Sequence, residues 1–260
     1  MDLPRPINDK VYDYYRKCIE KEVLEGDIPK HVAVIMDGNR RYAREILGTD
    51  DIGKGHELGK KKLKEVLGWC RTLGIRYLTV YAFSVENFNR DTSEVDFLMD
   101  LLAASMVEVA DDPDTIEGRI AVRVIGDKAM LPEHVKEAMD YAYEKTKDFD
   151  SYHLNLAIAY SGRQDITAAV RRVAQDVLDG KIKVEDIDEK AFCGYISTGD
   201  MPDPDLVMRT SGEIRVSNFL LWQMAYSELY FTDVYWPGFR YIDLLRAIRT
   251  YQQRNRRYGK

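Results

Sequence analysis

The chain has 260 residues, the length of one large α/β domain or of two smaller domains. Hydrophobic residues make up 45% and charged residues 32%, which excludes a disordered or collagen-like chain. With 44 acidic and 38 basic residues the net charge is −6, so we expect no nucleic-acid partner. The three cysteines, Cys18, Cys70 and Cys193, lie far apart, which argues against a disulfide framework or a structural zinc site.

Two further absences shape the expected location of the protein. No segment approaches the roughly 18 consecutive apolar residues of a membrane-spanning helix. The first residues also lack the apolar run of a secretory signal. We therefore expect a cytoplasmic protein in a reducing compartment.

Short apolar segments alternate along the chain with longer stretches of helical periodicity. Several of the segments are apolar on both faces, which is typical of a parallel sheet covered by helices. The predicted strands are His31–Ile35, Tyr77–Phe83, Ile120–Ile125, Leu154–Tyr160, Asp205–Met208 and Leu229–Phe231. Helices are predicted over about 56–73, 94–110, 132–147, 163–179 and 239–256, with Thr92 or Ser93 capping the second. This order predicts a single α/β domain with a mostly parallel sheet.

Residues 1–27 are predicted to form an N-terminal helical extension of the domain at 28–260. Ile7, Val11 and Cys18 recur at helical spacing with Tyr14 or Tyr15, which indicates an amphipathic helix. We expect this helix to pack on the domain or over its ligand cavity. A peripheral contact with a membrane surface is the alternative.

The first predicted strand leads into a loop rich in charged side chains, Met36–Tyr42. Gly38 lets backbone N–H groups approach a ligand, and the guanidinium groups of Arg40 and Arg41 match phosphate oxygens. The carboxylate of Asp37 can hold Mg²⁺ while substrate phosphates supply further ligands. The alternative is an Asp-Gly turn with solvated arginines.

His56 lies at the predicted start of a helix, within Gly53–Gly59, where free N–H groups and the helix dipole favour an anion. The glycine spacing there does not match a dinucleotide-binding loop. His56 is therefore predicted to be either a phosphate ligand or a capping residue.

Two other loops carry more polar side chains than turns and caps require. Ala82–Arg90 follows the second predicted strand, and Arg209–Asn218 follows the fifth. With the first loop they place four arginines at one edge of the sheet, Arg41, Arg90, Arg209 and Arg215. Four cations around an empty crevice repel one another. We therefore expect a strongly anionic ligand, such as one or two diphosphates, with a metal ion that balances Asp37 and Glu228.

These segments resemble the motifs of the cis-prenyltransferase family. The matching segments occur in the family's order and cover the chain from about residue 28 onward. They are Met36–Ala43 (MDGNRRYA), Gly55–His56, Tyr81–Arg90 with Glu94, Gly162–Arg163, Arg209–Gln223 and Glu228–Pro237.

The resemblance implies a fold and a reaction. The fold is a six-stranded, mostly parallel sheet flanked by helices, with an internal hydrophobic tunnel, in a homodimer. The enzyme would condense an allylic prenyl diphosphate with isopentenyl diphosphate, using Mg²⁺, to give a short- or medium-chain cis-polyprenyl diphosphate. A peripheral membrane contact would serve product release.

The resemblance also implies residue roles. Asp37 is the essential carboxylate for Mg²⁺ and the allylic diphosphate, Asn87 is the suggested route of proton removal, and Glu228 is a further metal position. Residues implied around the allylic diphosphate and the reacting centre are Gly38, Asn39, Arg40, Arg41, Tyr42, His56, Ser84, Val85, Glu86, Phe88 and Arg90. Residues implied at the isopentenyl diphosphate are Arg209, Arg215, Val216 and Ser217. Tyr152 corresponds to the tunnel floor, and its bulk favours the shorter products.

The chain departs from the family pattern near the first motif. Ile52 stands where the family usually has an arginine, whereas Arg40 stands where bacterial long-chain members often have glycine. An acceptor other than isopentenyl diphosphate, such as a second allylic diphosphate or an alcohol, is therefore an alternative. A non-catalytic partner subunit is less favoured because Asp37 and the site arginines are retained. Arg257–Gly259 resembles a C-terminal element that contributes to a partner subunit's site, with a solvated basic helix end as the alternative.

Overall fold

The computed structural model describes residues 5–199 and 201–254. Six strands in these ranges form one sheet in the spatial order β3-β4-β2-β1-β5-β6, and every neighbouring pair is parallel. They are β1 His31–Ile35, β2 Tyr77–Ser84, β3 Ile120–Ile125, β4 Tyr152–Tyr160, β5 Leu206–Arg209 and β6 Glu228–Phe231. The predicted α/β domain is confirmed, and the sheet is entirely parallel rather than mostly parallel.

Helices cover both faces of this sheet. They are α1 Arg5–Glu25, α2 Asn39–Arg41, α3 Ile52–Leu73, α4 Thr92–Asp111, α5 Pro113–Glu117, α6 Glu133–Thr146, α7 Gly162–Leu178, α8 Glu189–Cys193 and α9 Tyr241–Gln253. A π-helical turn spans Tyr42–Ile46, and 3₁₀ turns span Val85–Asn89, Lys128–Met130, Val184–Asp186 and Trp236–Gly238. No helix among the described residues is long and apolar enough to cross a membrane.

The sheet is buried on both sides, which explains its continuous apolar strands. Val32 and Val34 of β1 pack into a core that also contains side chains of α1, α3, α4, α6 and α9. Ala33 and Ile35 point to the opposite face and pack into a second core around Tyr160. Side chains of one strand alternate between the two faces, so both sets of β1 residues must be apolar.

The N-terminal helix packs on the C-terminal one. Ile19 and Val23 of α1 are fully buried. The Tyr241 hydroxyl donates to the Glu20 carboxylate at 2.8 Å, and Gln252 Nε2 donates to the Val23 carbonyl at 2.8 Å. Packing of α1 on the domain, one of the expected arrangements, is therefore observed. The boundary at residue 27 stays a prediction, and Arg257–Gly259 lie outside the described residues.

One buried histidine gives the fold a predicted sensitivity to acid. The His31 Nδ1–H donates to the Pro202 carbonyl at 2.7 Å, and Nε2 lies 2.8 Å from Thr79 Oγ1. Burial disfavours the imidazolium and lowers the pKa of His31 to about 4. The unfolded chain, with a histidine pKa of about 6.5, binds a proton between about pH 6.5 and 4, where His31 of the folded chain stays neutral.

Stability should therefore fall as the pH drops from about 6.5 to 4, by about 3 kcal/mol for this one histidine. Urea unfolding at several pH values measures the effect. Burial lowers the pKa of His56 to about 4 as well, so His31→Gln should remove about half of this pH dependence. An unchanged slope in the variant would contradict the assignment to His31.

Candidate active site

The loops that follow β1 and β5 are joined directly. Because these strands are parallel neighbours, their carboxyl ends meet at one edge of the sheet. The Asp37 N–H donates to Thr210 Oγ1 at 2.9 Å, and the Thr210 hydroxyl donates back to the Asp37 carbonyl at 2.7 Å. This reciprocal pair fixes the Asp37 backbone relative to the loop that carries Arg209.

Asp37 sits against two arginines. Arg209, which is 5% exposed, donates from Nη2 to Asp37 Oδ2 at 2.7 Å, and Arg41 Nη2 lies 3.6 Å from the same oxygen. Burial raises the pKa of Asp37, but the hydrogen bond and charge of Arg209 outweigh that effect, so the pKa lies below its usual range. The carboxylate is therefore ionised at neutral pH and available to a cation.

Arg209 also organises the predicted isopentenyl diphosphate loop. Its Nη1 donates to the Arg215 carbonyl at 2.6 Å and to Ser217 Oγ at 2.8 Å. The Arg215 side chain points outward and is 60% exposed, with its Nη1 2.5 Å from Glu213 Oε2. Val216 lies between the two and packs at the edge of the second core.

Arg41 reaches the same loop from the other side. It donates from Nη2 to Ser211 Oγ at 2.6 Å and lies 3.4 Å from Glu213. Gly38 precedes it with φ +102°, and a Cβ there would lie 2.7 Å from Tyr235 Cδ1 and 2.9 Å from Ser211 Cβ. Both the backbone conformation and the space require glycine, so the Asp-Gly pair forms a close contact that orients Asp37 and Arg41.

A second group of charges surrounds Glu94, whose side chain is 8% exposed. Arg90 donates to it at 2.8 Å, Arg40 lies 3.5 Å away, and His56 Nε2 lies 3.8 Å away. Burial and then the charge of Arg90 lower the pKa of His56 to about 4, so its ring is neutral at neutral pH. Arg40 thus supplies a cation beside His56, while Ile52 at the start of α3 supplies none.

The arginines are already paired with acidic side chains, so the repulsion expected from the sequence does not arise. Arg209 pairs with Asp37, Arg90 with Glu94, and Arg41 and Arg215 with Glu213. The structure therefore gathers Arg41 and Arg209 around Asp37 and places Arg90 in the adjoining cluster, and Arg215 faces outward.

Three polar atoms of this region are buried and have no hydrogen-bond partner. They are Asn39 Oδ1, His56 Nε2 and Arg209 Nε. A buried polar atom without a partner is costly. Asn39 and His56 also line one end of a large cavity, its mouth, so a ligand or water at this end is the natural partner of their two atoms.

The turn after β2 holds Asn87 in a fixed position. The Ser84 N–H donates to Asn87 Oδ1 at 3.0 Å, which completes a capping box for Val85–Asn89. Phe88 packs edge-on against Phe83 with ring centroids 4.9 Å apart. The amide oxygen of Asn87 is thus engaged in holding the turn, and its role in proton removal stays a prediction.

Asn218 has a structural role that no motif predicted. Its Nδ2 donates to Ser161 Oγ at 2.7 Å and to Glu86 Oε1 at 3.2 Å, while its Oδ1 accepts from the Arg163 N–H at 3.0 Å. Its φ of +64° falls in the left-handed region that asparagine tolerates better than most residues. Asn218 thereby links the turn after β2, the start of α7 and the loop after β5.

Two predicted site residues lie elsewhere. Glu228 begins β6 and pairs with Arg254 at 2.8 Å, and the strand register places it level with Val32, at the opposite edge of the sheet from Asp37. Asp37 and Glu228 of one chain therefore cannot share a metal ion, and Glu228 as a further metal position stays a prediction. Tyr152 begins β4, with its hydroxyl 3.5 Å from the Arg71 carbonyl.

A cavity of about 570 Å³ extends from the mouth between α3, α4 and the sheet. Its apolar wall includes leucines of all three elements: Leu63, Leu67, Leu98, Leu101, Leu102, Leu154 and Leu156. Tyr152 is not among the described residues that line it. The cavity lies next to the cluster around Glu94, since His56 belongs to both. Its identity with the hydrophobic tunnel implied by the resemblance stays a prediction.

Asp37 is the carboxylate suited to Mg²⁺. Among the described residues no group of three His, Cys, Asp or Glu side chains is arranged to hold a metal ion. Mg²⁺ typically binds one or two carboxylates and completes its coordination with water and substrate phosphates. The ionised, partly exposed Asp37 fits this mode, in which a bound diphosphate and water would supply the remaining ligands.

Comparisons with known proteins agree with this geometry. The family model described as "Putative undecaprenyl diphosphate synthase" matches residues 35–259. The tritrans,polycis-undecaprenyl-diphosphate synthase (geranylgeranyl-diphosphate specific) of Thermococcus kodakarensis is 52% identical over 258 residues, covering 99% of this chain and 97% of the relative. The protein of the same name from Methanocaldococcus jannaschii is 49% identical over 255 residues, covering 97% and 90%.

Two solved structures are similar to this chain in both fold and sequence. Lavandulyl diphosphate synthase from Lavandula x intermedia, in complex with dimethylallyl diphosphate, has a TM-score of 0.83 and 39% identity, covering 92% of this chain and 100% of that one. A "probable undecaprenyl diphosphate synthase" from Campylobacter jejuni has a TM-score of 0.73 and 32% identity, covering 90% and 100%. The chain therefore belongs to the undecaprenyl diphosphate synthase family and is a cis-prenyltransferase, as its motifs predicted.

Proposed function

We propose that this enzyme elongates geranylgeranyl diphosphate with isopentenyl diphosphate, in a Mg²⁺-dependent reaction, to a tritrans,polycis-undecaprenyl diphosphate. One structural observation carries the proposal: the arginines and Asp37 are close to Asn39 and His56, which line one end of a long apolar cavity. The charged mouth suits two diphosphates, and the cavity suits a growing hydrocarbon chain. Relatives named for this primer and product, about half identical over nearly the whole chain, support the choice.

In this proposal the arginines bind the two diphosphates. Arg209, Arg215 and Ser217 hold the isopentenyl diphosphate, and Arg41, Arg40 and His56 hold the allylic diphosphate. Heterolysis of the allylic C–O bond sends its electron pair to the departing diphosphate, whose growing charge the guanidinium groups stabilise. Mg²⁺ bound at Asp37 would supply further neutralisation of that charge.

The remaining steps form the new C–C bond and remove a proton. The double bond of isopentenyl diphosphate attacks the allylic cation, and loss of a proton from the resulting cation creates the new double bond. The apolar cavity keeps water from intercepting the cation. Because a neutral amide is a weak base and Asn87 Oδ1 already accepts from the Ser84 N–H, we assign proton acceptance to diphosphate oxygen and a positioning role to Asn87.

Two residues bear on the choice of acceptor, Ile52 and Arg40. Ile52 removes a cation that the family usually has, which favours a non-standard acceptor. Arg40 replaces that cation beside His56, 3.5 Å from Glu94, which favours isopentenyl diphosphate. We therefore propose the standard acceptor and keep a second allylic diphosphate or an alcohol as the alternative.

Product analysis tests the proposal. The purified chain is incubated with Mg²⁺, labelled isopentenyl diphosphate and allylic diphosphates of several lengths, and the products are resolved by mass. We expect a ladder that ends at the undecaprenyl length, most efficiently from geranylgeranyl diphosphate. Products with allylic or alcohol acceptors alone would favour the alternative, and no transfer by the folded protein would contradict the proposal. Homodimer formation, cytoplasmic location and membrane contact stay predictions.

A further inference from the structure

The cavity follows the length of α3. It begins at His56, near the charged mouth, and reaches Arg71 and Thr72 at the other end of the helix. Thr72 lies sixteen positions after His56, which corresponds to about 24 Å at the α-helical rise per residue. Ile120, the first residue of β3, also lines the far end. The cavity thus runs from the carboxyl ends of the strands to their amino ends.

A cation stands at this far end. Arg71 crosses from α3 to the segment that follows α4, where its Nη1 donates to the Asp114 carbonyl at 3.0 Å. Its Nη1 also lies 3.7 Å from the Asp114 carboxylate. A Cβ on Gly118 would lie 2.8 Å from Arg71 Nε and 2.9 Å from Cζ. The guanidinium group therefore rests directly on the Gly118 backbone and is held in one place.

Other cations along the cavity are placed differently. Lys60 pairs with Glu108 and Lys64 with Asp112, each at 2.5 Å, across the gap between α3 and α4. The Lys64 side chain is 57% exposed, whereas those of Lys60 and Arg71 are 29% and 27% exposed. Arg71 thus differs from Lys64 in being more enclosed, and from Lys60, one helical turn after His56, in lying at the far end of the cavity.

We propose that Arg71 is a specificity-determining residue that limits the length of the prenyl chain, an inference that rests on the proposed function. A growing chain enters the cavity tail first, so its apolar end advances along α3 with each added unit. When the tail reaches Arg71, further growth must displace the water that still hydrates the guanidinium group. Removing a charge from water without a new partner is costly, so elongation becomes unfavourable there.

The test compares product lengths of Arg71→Met with those of the unchanged enzyme. Methionine keeps an unbranched side chain that suits a helix but removes the charge. We expect the main product to lengthen by at least one isoprene unit, while the rate of the first condensation changes less than about twofold. Arg71→Lys keeps a positive charge and should retain the original length.

Arg76→Met is the matched control. Arg76 is exposed, bonds to the Asp150 and Ser151 carbonyls, and is not among the described cavity-lining residues. Unchanged product length in Arg71→Met, or equal lengthening in Arg76→Met, would overturn the inference. So would lengthening in Tyr152→Ala alone, which would support Tyr152 as the floor instead. Absence of prenyl transfer by the unchanged enzyme would instead count against the proposed function.

Discussion

Asp37→Asn is expected to reduce turnover by a factor on the order of 10³, because it removes the negative charge while an oxygen remains for Arg209. The side chain keeps its size, so the contact with the Arg209 guanidinium, now 2.7 Å, can persist and the fold should survive. Asp37→Ala should lose nearly all turnover as well. Steady-state rates across a range of Mg²⁺ concentrations, with thermal unfolding of each variant, measure both effects.

Asp140→Asn is the control for this experiment. Asp140 lies on α6, is largely exposed and pairs only loosely with Lys128, at 3.7 Å. The same chemical change there should leave turnover within about twofold, since exposed ion pairs contribute little. Near-normal turnover of Asp37→Asn would remove the metal-binding carboxylate from the proposed function.

Gly55→Ala is expected to damage both the site and the fold. A Cβ on Gly55 would lie 2.1 Å from the Asn39 carbonyl oxygen and 2.9 Å from the Asn39 carbonyl carbon. These are backbone atoms, so α2 and α3 must move apart. The movement separates His56 from the loop that carries Asp37 and Arg41. A misplacement of about 1 Å can cost roughly 10²-fold in rate, and overpacking costs about 1–3 kcal/mol in stability.

Gly68→Ala on the same helix provides the comparison for stability. Nothing lies within 4 Å of a Cβ built on Gly68. Alanine favours helix over glycine by about 1 kcal/mol, so this variant should be slightly more stable. Denaturant unfolding of the two variants separates the clash between α2 and α3 from the general effect of replacing glycine by alanine in a helix. Equal stability of Gly55→Ala and the unchanged protein would show that the two helices tolerate separation.

The strands were predictable because burial on both faces leaves an uninterrupted apolar signal. Every predicted strand appears in the structure with its ends shifted by no more than two residues. Helix starts were harder, since they depend on one capping side chain. Asp51 accepts from the Gly53 N–H, so α3 begins at Ile52 rather than near residue 56. Likewise Asp91, not Thr92 or Ser93, caps α4, and its carboxylate accepts from the Ser93 N–H.

The site was predictable where the side chains directly follow neighbouring strands. Asp37 and Arg209 come at the ends of β1 and β5, and these strands are adjacent, so the two side chains meet. The place of Glu228 was not predicted in this way. It begins a parallel strand and therefore lies at the amino ends of the strands, whereas Asp37 follows a carboxyl end. Asn218 and Arg71 act through contacts with distant segments, Glu86 and Asp114. Sequence spacing carries no information on such contacts.

The arginines of the site are already paired with carboxylates before a diphosphate binds. A diphosphate that enters the mouth does not meet bare cations; it takes Arg209 from Asp37 and Arg41 from Glu213. Each exchange leaves a carboxylate that has lost part of its compensating charge and therefore attracts a cation more strongly. Diphosphate and a divalent cation should thus strengthen each other's binding by the same factor, as thermodynamic reciprocity requires. The site then favours the two ligands together over either one alone.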